Sequence, residues 1–281
     1  MLSPQQQQQF AREGYLVLPG FKPAAEVAQL LQRTHEILAA TEAQDIGGSF
    51  GTQDPGGFWN RWFLDSDVRV RCFFEEEALD AQGRLNRPVP LAVNKIGHAL
   101  HDLDPVFERF SHGPALAELA ADLGLQEPQV WQSMLICKQP GIGGEVRWHQ
   151  DATYLHCEHG AVIGFWFALE DADTDNGCLW VEPGGHHGPL RERFVREGYQ
   201  TRLERLDETP WPDAGRARPL PCEAGSLVVF HGLLPHASQA NRSGRSRFAY
   251  TLHASDARSG YARSNWIQRD ASLPVRGFAA R

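Results

Sequence analysis

Ser246-Arg247-Phe248-Ala249-Tyr250-Thr251-Leu252-His253-Ala254 carries the alternation of a β-strand. Successive strand residues point to opposite faces, so Phe248, Tyr250 and Leu252 share one side and Arg247, Thr251 and His253 the other. The first side is apolar and asks for a core. The second puts an arginine on the inner face of an otherwise hydrophobic strand. A guanidinium facing inward needs an anionic partner, because a buried unpaired charge is costly.

Working back from that strand, segments 130–138, 161–169, 178–182, 226–231 and 235–240 also have strand composition. Asp175-Asn176-Gly177 and Pro183-Gly184-Gly185 supply turns between them. Many short strands separated by Gly and Pro turns predict a sandwich or jelly roll. The chain ahead of them is more helical. Ser3 caps a first helix, Pro4 suits its first turn, Gln6 completes a capping box, and Gly14 ends it. A short strand follows over 15–18. After Pro23, Val27, Leu30, Leu31, Thr34 and Leu38 line one face of a second helix. Segment 68–74 alternates as a strand, 80–84 turns, and 105–124 carries one or two helices.

Segment 43–66 is rich in Gly, Asp and Thr and is expected to be a long loop, functional or mobile; it is a lid candidate, with Phe58, Trp59 and Trp62 serving either as apolar contacts or as core packing. Segment 191–208 is polar and is expected to be a helical insertion between strands. Its Arg191, Arg193, Arg196, Arg202 and Arg205 alternate with glutamates, and they suggest either a solvated face or a lid for an anionic substrate. No repeat or linker divides the chain. A single domain over 1–281 is expected, with a helical part over about 1–125 and the main strands over about 128–256.

The formal charge of −8 argues against a nucleic-acid partner, which needs a basic face. Five cysteines, an odd number with no C-x-x-C, suggest reduced thiols in a cytoplasmic protein. The glutamine-rich opening has no signal-peptide pattern, and no apolar run nears the roughly 20 residues of a membrane span.

The chemistry gathers around His149-Gln150-Asp151, with His236 much later. Two imidazoles and one carboxylate are the ligand set of a non-haem Fe(II) site with open positions. In an extended segment His149 and Asp151 share a face, as do His236 and Ser238. An H-x-D triplet among twelve histidines is weak evidence by itself. It gains weight from His236 and Arg247 on β segments of consistent parity. His231, His253 and the cluster His156, Cys157 and His159 compete for the third position. That cluster has no second knuckle, as structural zinc would require, and His231 precedes Gly232 at a strand end. His236 is preferred because Ser238 and Arg247 follow it in order. A dicarboxylate cosubstrate would then give Arg247 its partner through a bidentate pair.

These residues resemble the phytanoyl-CoA dioxygenase family of Fe(II)/2-oxoglutarate oxygenases. The matching pattern is His149-Gln150-Asp151, Asn176-Gly177-Cys178-Leu179, Pro183-Gly184-Gly185-His186, and His236-Ala237-Ser238 with Asn241, Ser243 and Arg247. Gly14 to Phe21 resembles the family's opening segment. Asn94-Lys95-Ile96-Gly97-His98-Ala99-Leu100-His101, Gln132-Ser133-Met134, Lys138-Gln139-Pro140 and Gly143-Gly144-Glu145-Val146 resemble an animal branch of it. The likeness covers nearly the whole chain and is weakest over 41–66 and 189–220. Gly185 departs from a common serine, in a turn.

The resemblance implies a double-stranded β-helix, a distorted jelly roll, wrapped by N-terminal helices. It implies Fe(II) on His149, Asp151 and His236. It implies 2-oxoglutarate, with its far carboxylate on Arg247 and Ser238, in a pocket lined by Lys95, Met134 and Trp166. It implies hydroxylation of a small organic substrate by O2, with release of succinate and CO2 and with ascorbate as reductant. Asp151 stands where related halogenases carry a small residue, which favours hydroxylation over halogenation. Two other functions fit a jelly roll: a cupin-like metal enzyme without 2-oxoglutarate, and a non-enzymatic binding module.

Overall fold

The computed structural model describes residues 1–50 and 61–279. Helix α1 (Pro4–Glu13) is capped reciprocally. Ser3 Oγ accepts from the Gln6 amide at 3.3 Å, and Gln6 Oε1 accepts from the Ser3 amide at 2.9 Å. The helix ends at Gly14, with φ at +81°, where a Cβ would collide with the His186 ring. The chain turns directly into β1 (Tyr15–Leu18). Helix α2 (Ala24–Ala40) buries Val27, Leu30, Thr34 and Leu38.

The expected loop over 43–66 is only partly a loop. It holds a 3-10 turn (Ala43–Asp45), β2 (Ser49–Phe50) and a short helix, α3 (Arg61–Leu64). Phe58 and Trp59 lie outside the described residues. Trp62 packs under the Arg71 guanidinium at 4.2 Å and donates to the Cys72 carbonyl. Strands β3 (Val70–Glu75) and β4 (Val93–His98) follow, then α4 (Leu100–Leu103), α5 (Pro105–Ser111) and α6 (Pro114–Asp122). The first 125 residues therefore add four strands as well as helices.

The remaining strands are β5 (Pro128–Lys138), β6 (Val146–His149), β7 (Ile163–Ala168), β8 (Leu179–Val181), β9 (Glu192–Glu197), β10 (Gln200–Arg205), β11 (Arg218–Leu220), β12 (Leu227–His231), β13 (His236–Ser238) and β14 (Arg247–Asp256). One sheet runs β1-β12-β7-β14-β5-β4-β3-β2, the other β11-β8-β13-β6. Strands β5, β14, β7 and β12 face β6, β13, β8 and β11, with chain-consecutive strands β5 to β8 alternating between the sheets. This is a double-stranded β-helix, and its eight strands all fall between residues 128 and 256.

The 191–208 insertion is not helical; it is the β9–β10 hairpin. Gly198, at φ +64°, begins a two-residue turn of the kind that suits strand twist. The alternating charges, which also fit helical spacing, pair across or along the strands instead. Arg202 meets Glu197 at 2.8 Å and Glu204 at 2.7 Å, and Arg205 lies 3.9 Å from Glu192. Phe194 and Val195 are buried beneath.

Strand β14 divides as its sequence predicts. Phe248, Tyr250 and Leu252 join Leu30, Phe107 and Phe110 in the core between the large sheet and the helices. Phe107 and Phe110 rings lie 5.2 and 5.8 Å from Tyr250, whose hydroxyl is 2.7 Å from Ser111 Oγ. All five cysteines are free. Among the described residues no helix is long and apolar enough to cross a membrane. Phe107 has no exposed surface, so Phe107→Ala should lower stability by about 3–5 kcal/mol. Urea unfolding checks this, and an unchanged midpoint would mean the helical layer does not brace the sheet.

Candidate metal centre

Strand β13 pairs antiparallel with β6, and His236 sits opposite His149. Their rings lie 4.2 Å apart, centroid to centroid. Each Nδ1 meets the carbonyl two residues earlier, His149 to Arg147 at 2.8 Å and His236 to Leu234 at 3.0 Å. A carbonyl can only accept, so Nδ1 carries the proton in both rings and Nε2 presents its lone pair. Strand β6 ends at His149, and Asp151 opens a 3-10 turn (Asp151–Thr153). The turn, rather than a shared strand face, brings its Oδ1 to 3.8 Å from His149 Nε2 and 3.7 Å from His236 Nε2. The three donor atoms lie within 4.8 Å of one another. Burial, and then His236, push His149 down to about 3, so its ring is neutral at ordinary pH. Burial would raise Asp151, but His253, His236 and His149 outweigh it and hold the carboxyl below its usual range. A neutral His149 and an ionised Asp151 are the protonation states a divalent ion requires of them.

Asp151 is held from behind. His253 Nε2 lies 3.1 Å from Asp151 Oδ2, and Gln132 Nε2 lies 3.0 Å from His253 Nδ1. The Gln132 amide nitrogen can only donate, so His253 accepts at Nδ1 and carries its ring proton on Nε2, the atom that faces the Asp151 carboxylate. This chain leaves Oδ1 turned toward the two imidazoles. Gln132 and His253 are themselves cross-strand partners on β5 and β14. The sequence put His253 on the inner face but offered it only as a rival ligand. Its parity with Arg247 and Thr251 was the signal for a supporting role.

Arg247 begins β14 and is 1% exposed. Its Nε and Nη1 have no hydrogen-bond partner, and it makes no ion pair among the described residues. The nearby Glu170 carboxylate is engaged by Ser246 Oγ and the Phe248 amide. Burial pushes the guanidinium down to about 10, which leaves it cationic at neutral pH. Trp166 lies under it, ring centroid 5.4 Å from the guanidinium carbon. Met134, Thr251 and Trp166 stand level across β5, β14 and β7. Lys95 Nζ is 3.9 Å from Met134 Sδ, and burial pushes this amine down to about 7. Ser238 follows His236 on β13, opposite Leu179.

His149, Asp151, His236, Lys95, Met134, Trp166, Ser238 and Arg247 all line one cavity of about 560 Å³. It is large enough for two small molecules. The other histidines lie elsewhere. His231 accepts from the Leu233 amide and packs on His186, and neither His156 nor His159 lines this cavity. Among the described residues the triad is the one group of carboxylates, imidazoles and thiols close enough to hold an ion. The donor set fits such an ion, being that of a non-haem iron centre, and a buried cation without a partner in the same cavity fits an anion beside it.

Comparison with known proteins agrees. The family model described as phytanoyl-CoA dioxygenase matches residues 10–249. A Bos taurus protein named phytanoyl-CoA dioxygenase domain-containing protein 1 is 42% identical, covering 97% of each chain. Phytanoyl-CoA dioxygenase 1 of Oryza sativa subsp. japonica is 41% identical, covering 95% of this chain and 94% of its own. Among solved structures, EctD from S. alaskensis with 2-oxoglutarate and 5-hydroxyectoine gives a TM-score of 0.63 at 21% identity, over 100% of this chain and 89% of that one. The epimerase SnoN in complex with Fe3+, alpha ketoglutarate and nogalamycin RO gives 0.65 at 17%, over 99% and 94%. At those identities the structures establish the fold.

Removing the support behind Asp151 should loosen the centre without dismantling it. His253→Ala is expected to weaken Co(II) binding by roughly 10–100-fold, read by calorimetry on protein that still unfolds cooperatively. Undiminished affinity would show that Asp151 needs no orienting partner.

Proposed function

The chain belongs to the phytanoyl-CoA dioxygenase family, and from that premise we propose that it is an Fe(II)- and 2-oxoglutarate-dependent dioxygenase that hydroxylates a small organic substrate. The balanced reaction takes 2-oxoglutarate, O2 and a C–H bond to succinate, CO2 and an alcohol. Bound iron with its cosubstrate supplies the oxidising chemistry. The protein's part is to hold and orient.

His149, Asp151 and His236 would bind the metal through Nε2, Oδ1 and Nε2 and leave one face open. Arg247 and Ser238 would hold the far carboxylate of 2-oxoglutarate, with Trp166, Met134 and Lys95 lining its pocket. The observation that carries this reading is Arg247: a buried guanidinium with two unpartnered N–H atoms in the cavity that holds the triad. Fixed anion recognition beside a metal is what a dicarboxylate cosubstrate needs, and a carboxylate there would supply an acceptor that the guanidinium lacks. A cupin-like enzyme without 2-oxoglutarate, or a binding module, leaves that charge unexplained. Relatives named phytanoyl-CoA dioxygenase, and structural neighbours solved with 2-oxoglutarate or alpha ketoglutarate, point the same way.

The hairpin does not favour an anionic substrate. Arg191 meets Glu182 at 3.0 Å, Arg196 meets Asp67 at 3.5 Å, and Arg202 and Arg205 meet glutamates of their own hairpin. Arg193 bonds Ser264 Oγ.

Purified protein with Fe(II), ascorbate and air should convert 2-oxoglutarate to succinate, and His149→Ala should not. Equal conversion by the two would overturn the assignment of the metal site. Arg247→Met should raise the 2-oxoglutarate requirement on the order of 100-fold, read as the shift in KM; an unchanged KM would remove Arg247 from the cosubstrate site. Once a substrate is in hand, a hydroxylated product is expected in saline buffer, and a chlorinated one would contradict the role given to Asp151.

A further inference from the structure

The cavity holds buried acceptors that neither the triad nor the arginine uses. His98 ends β4 with no exposed surface, and it lines the cavity. Its Nδ1 lies 2.7 Å from Ser66 Oγ. The single hydroxyl proton of Ser66 is donated to the Phe63 carbonyl, so His98 must be the donor in the contact between them. The ring proton is therefore on Nδ1, and Nε2 offers a lone pair. That atom has no partner among the described residues. Burial, and then Lys95, hold the imidazole well below its ordinary range, so the ring is neutral. Phe63 and Trp266 wall it in, with ring centroids 4.9 and 4.7 Å away.

Gln132 supplies a second acceptor. Its amide nitrogen is committed to His253, while its Oε1 is buried and unpartnered, and the residue lines the same cavity. The strand registers place these residues along the cavity that both line. His98 is opposite Ser133, one residue from Gln132, and Gln132 is opposite His253, which touches Asp151. Arg247 is opposite Lys138, six residues further along β5. The free acceptors therefore belong to the metal's end of the cavity and the unpartnered cation to the other.

We propose that His98 Nε2 and Gln132 Oε1 anchor the substrate, and that the substrate carries an N–H or O–H donor on an apolar, ring-sized body seated against Phe63 and Trp266. This rests on the dioxygenase reading for what is done to the ligand, though not for its recognition. Two neutral acceptors repel a carboxylate or phosphate and welcome a donor. Left unmatched they are a standing cost, which a donor-bearing ligand removes and an isostere without the donor does not.

Indole and benzofuran test this directly, since they share a shape and differ in one N–H. Calorimetry on the full chain, without metal and again with Co(II) and 2-oxoglutarate, should show indole binding roughly tenfold or more tightly than benzofuran. His98→Leu should bring indole down to the level of benzofuran. His98→Gln, which keeps an acceptor near the same place, should restore part of the difference, and it serves if the leucine variant fails to fold. Equal affinities in the wild type, binding of neither at millimolar concentration, or a preference that survives His98→Leu would each overturn the assignment. A wild-type protein that takes up 2-oxoglutarate but ignores the N–H refutes this inference and leaves the dioxygenase reading standing. One that favours indole yet binds no 2-oxoglutarate does the reverse.

Discussion

The pairing of β6 with β13, His149 opposite His236, is the constraint on which the site depends. Both rings are fixed by the carbonyl two residues back on their own strand, so strand geometry alone sets the direction of both Nε2 atoms. A slip of one residue would turn either ring to the other face. The third donor comes from the turn after β6, and it is steadied by His253 and Gln132 of the large sheet. The centre thus joins the two sheets: the small sheet and its turn supply the donors, and the large sheet orients the carboxylate. That division explains why a jelly roll suits the task, since only the packing of one sheet on the other brings Asp151 and His253 together.

Arg247 poses the opposite problem, a charge that the fold buries and does not satisfy. A buried ion pair says little about function, because structural pairs are common. A buried cation whose N–H atoms lack acceptors says more, because its desolvation is uncompensated until an anion arrives. The strand can carry that burden because its other face is firmly held. Phe248, Tyr250 and Leu252 lock against Leu30, Phe107 and Phe110, so the helical layer sets the depth at which Arg247 is presented. Stability on one face of β14 and recognition on the other are separate consequences of the same period of two.

Much of this was legible in the residues. The capping box at Ser3 and Gln6, the stop at Gly14 and the buried stripe of α2 follow from local rules that tertiary context did not disturb. The inner face of β14 was readable from parity. The 191–208 segment was not, because alternating Arg and Glu satisfy helical i,i+4 spacing and cross-strand pairing equally well; Gly198 decides it, through a positive φ that composition does not announce. Strand β4 was hidden for another reason. All six of its residues are buried, so Asn94, Lys95 and His98 interrupt the apolar run that marks an inner strand. Asp151 reached the site by a turn rather than by extended geometry, so the parity argument led to the right neighbours through the wrong local structure. His253 shows the limit of reading ligands by residue type: it lies against the Asp151 carboxylate, and only distances separate a candidate ligand from its support.

The central claim is that metal triad and buried arginine form one site, occupied together by one cosubstrate. Anaerobic calorimetry with 2-oxoglutarate, with and without Fe(II), and with pyruvate in its place, tests it most directly. The account predicts one 2-oxoglutarate per chain, bound tightly only when iron is present, and much weaker binding of pyruvate, which has the keto-acid end but no second carboxylate for Arg247. Binding that ignores iron, or that treats pyruvate and 2-oxoglutarate alike, would contradict it.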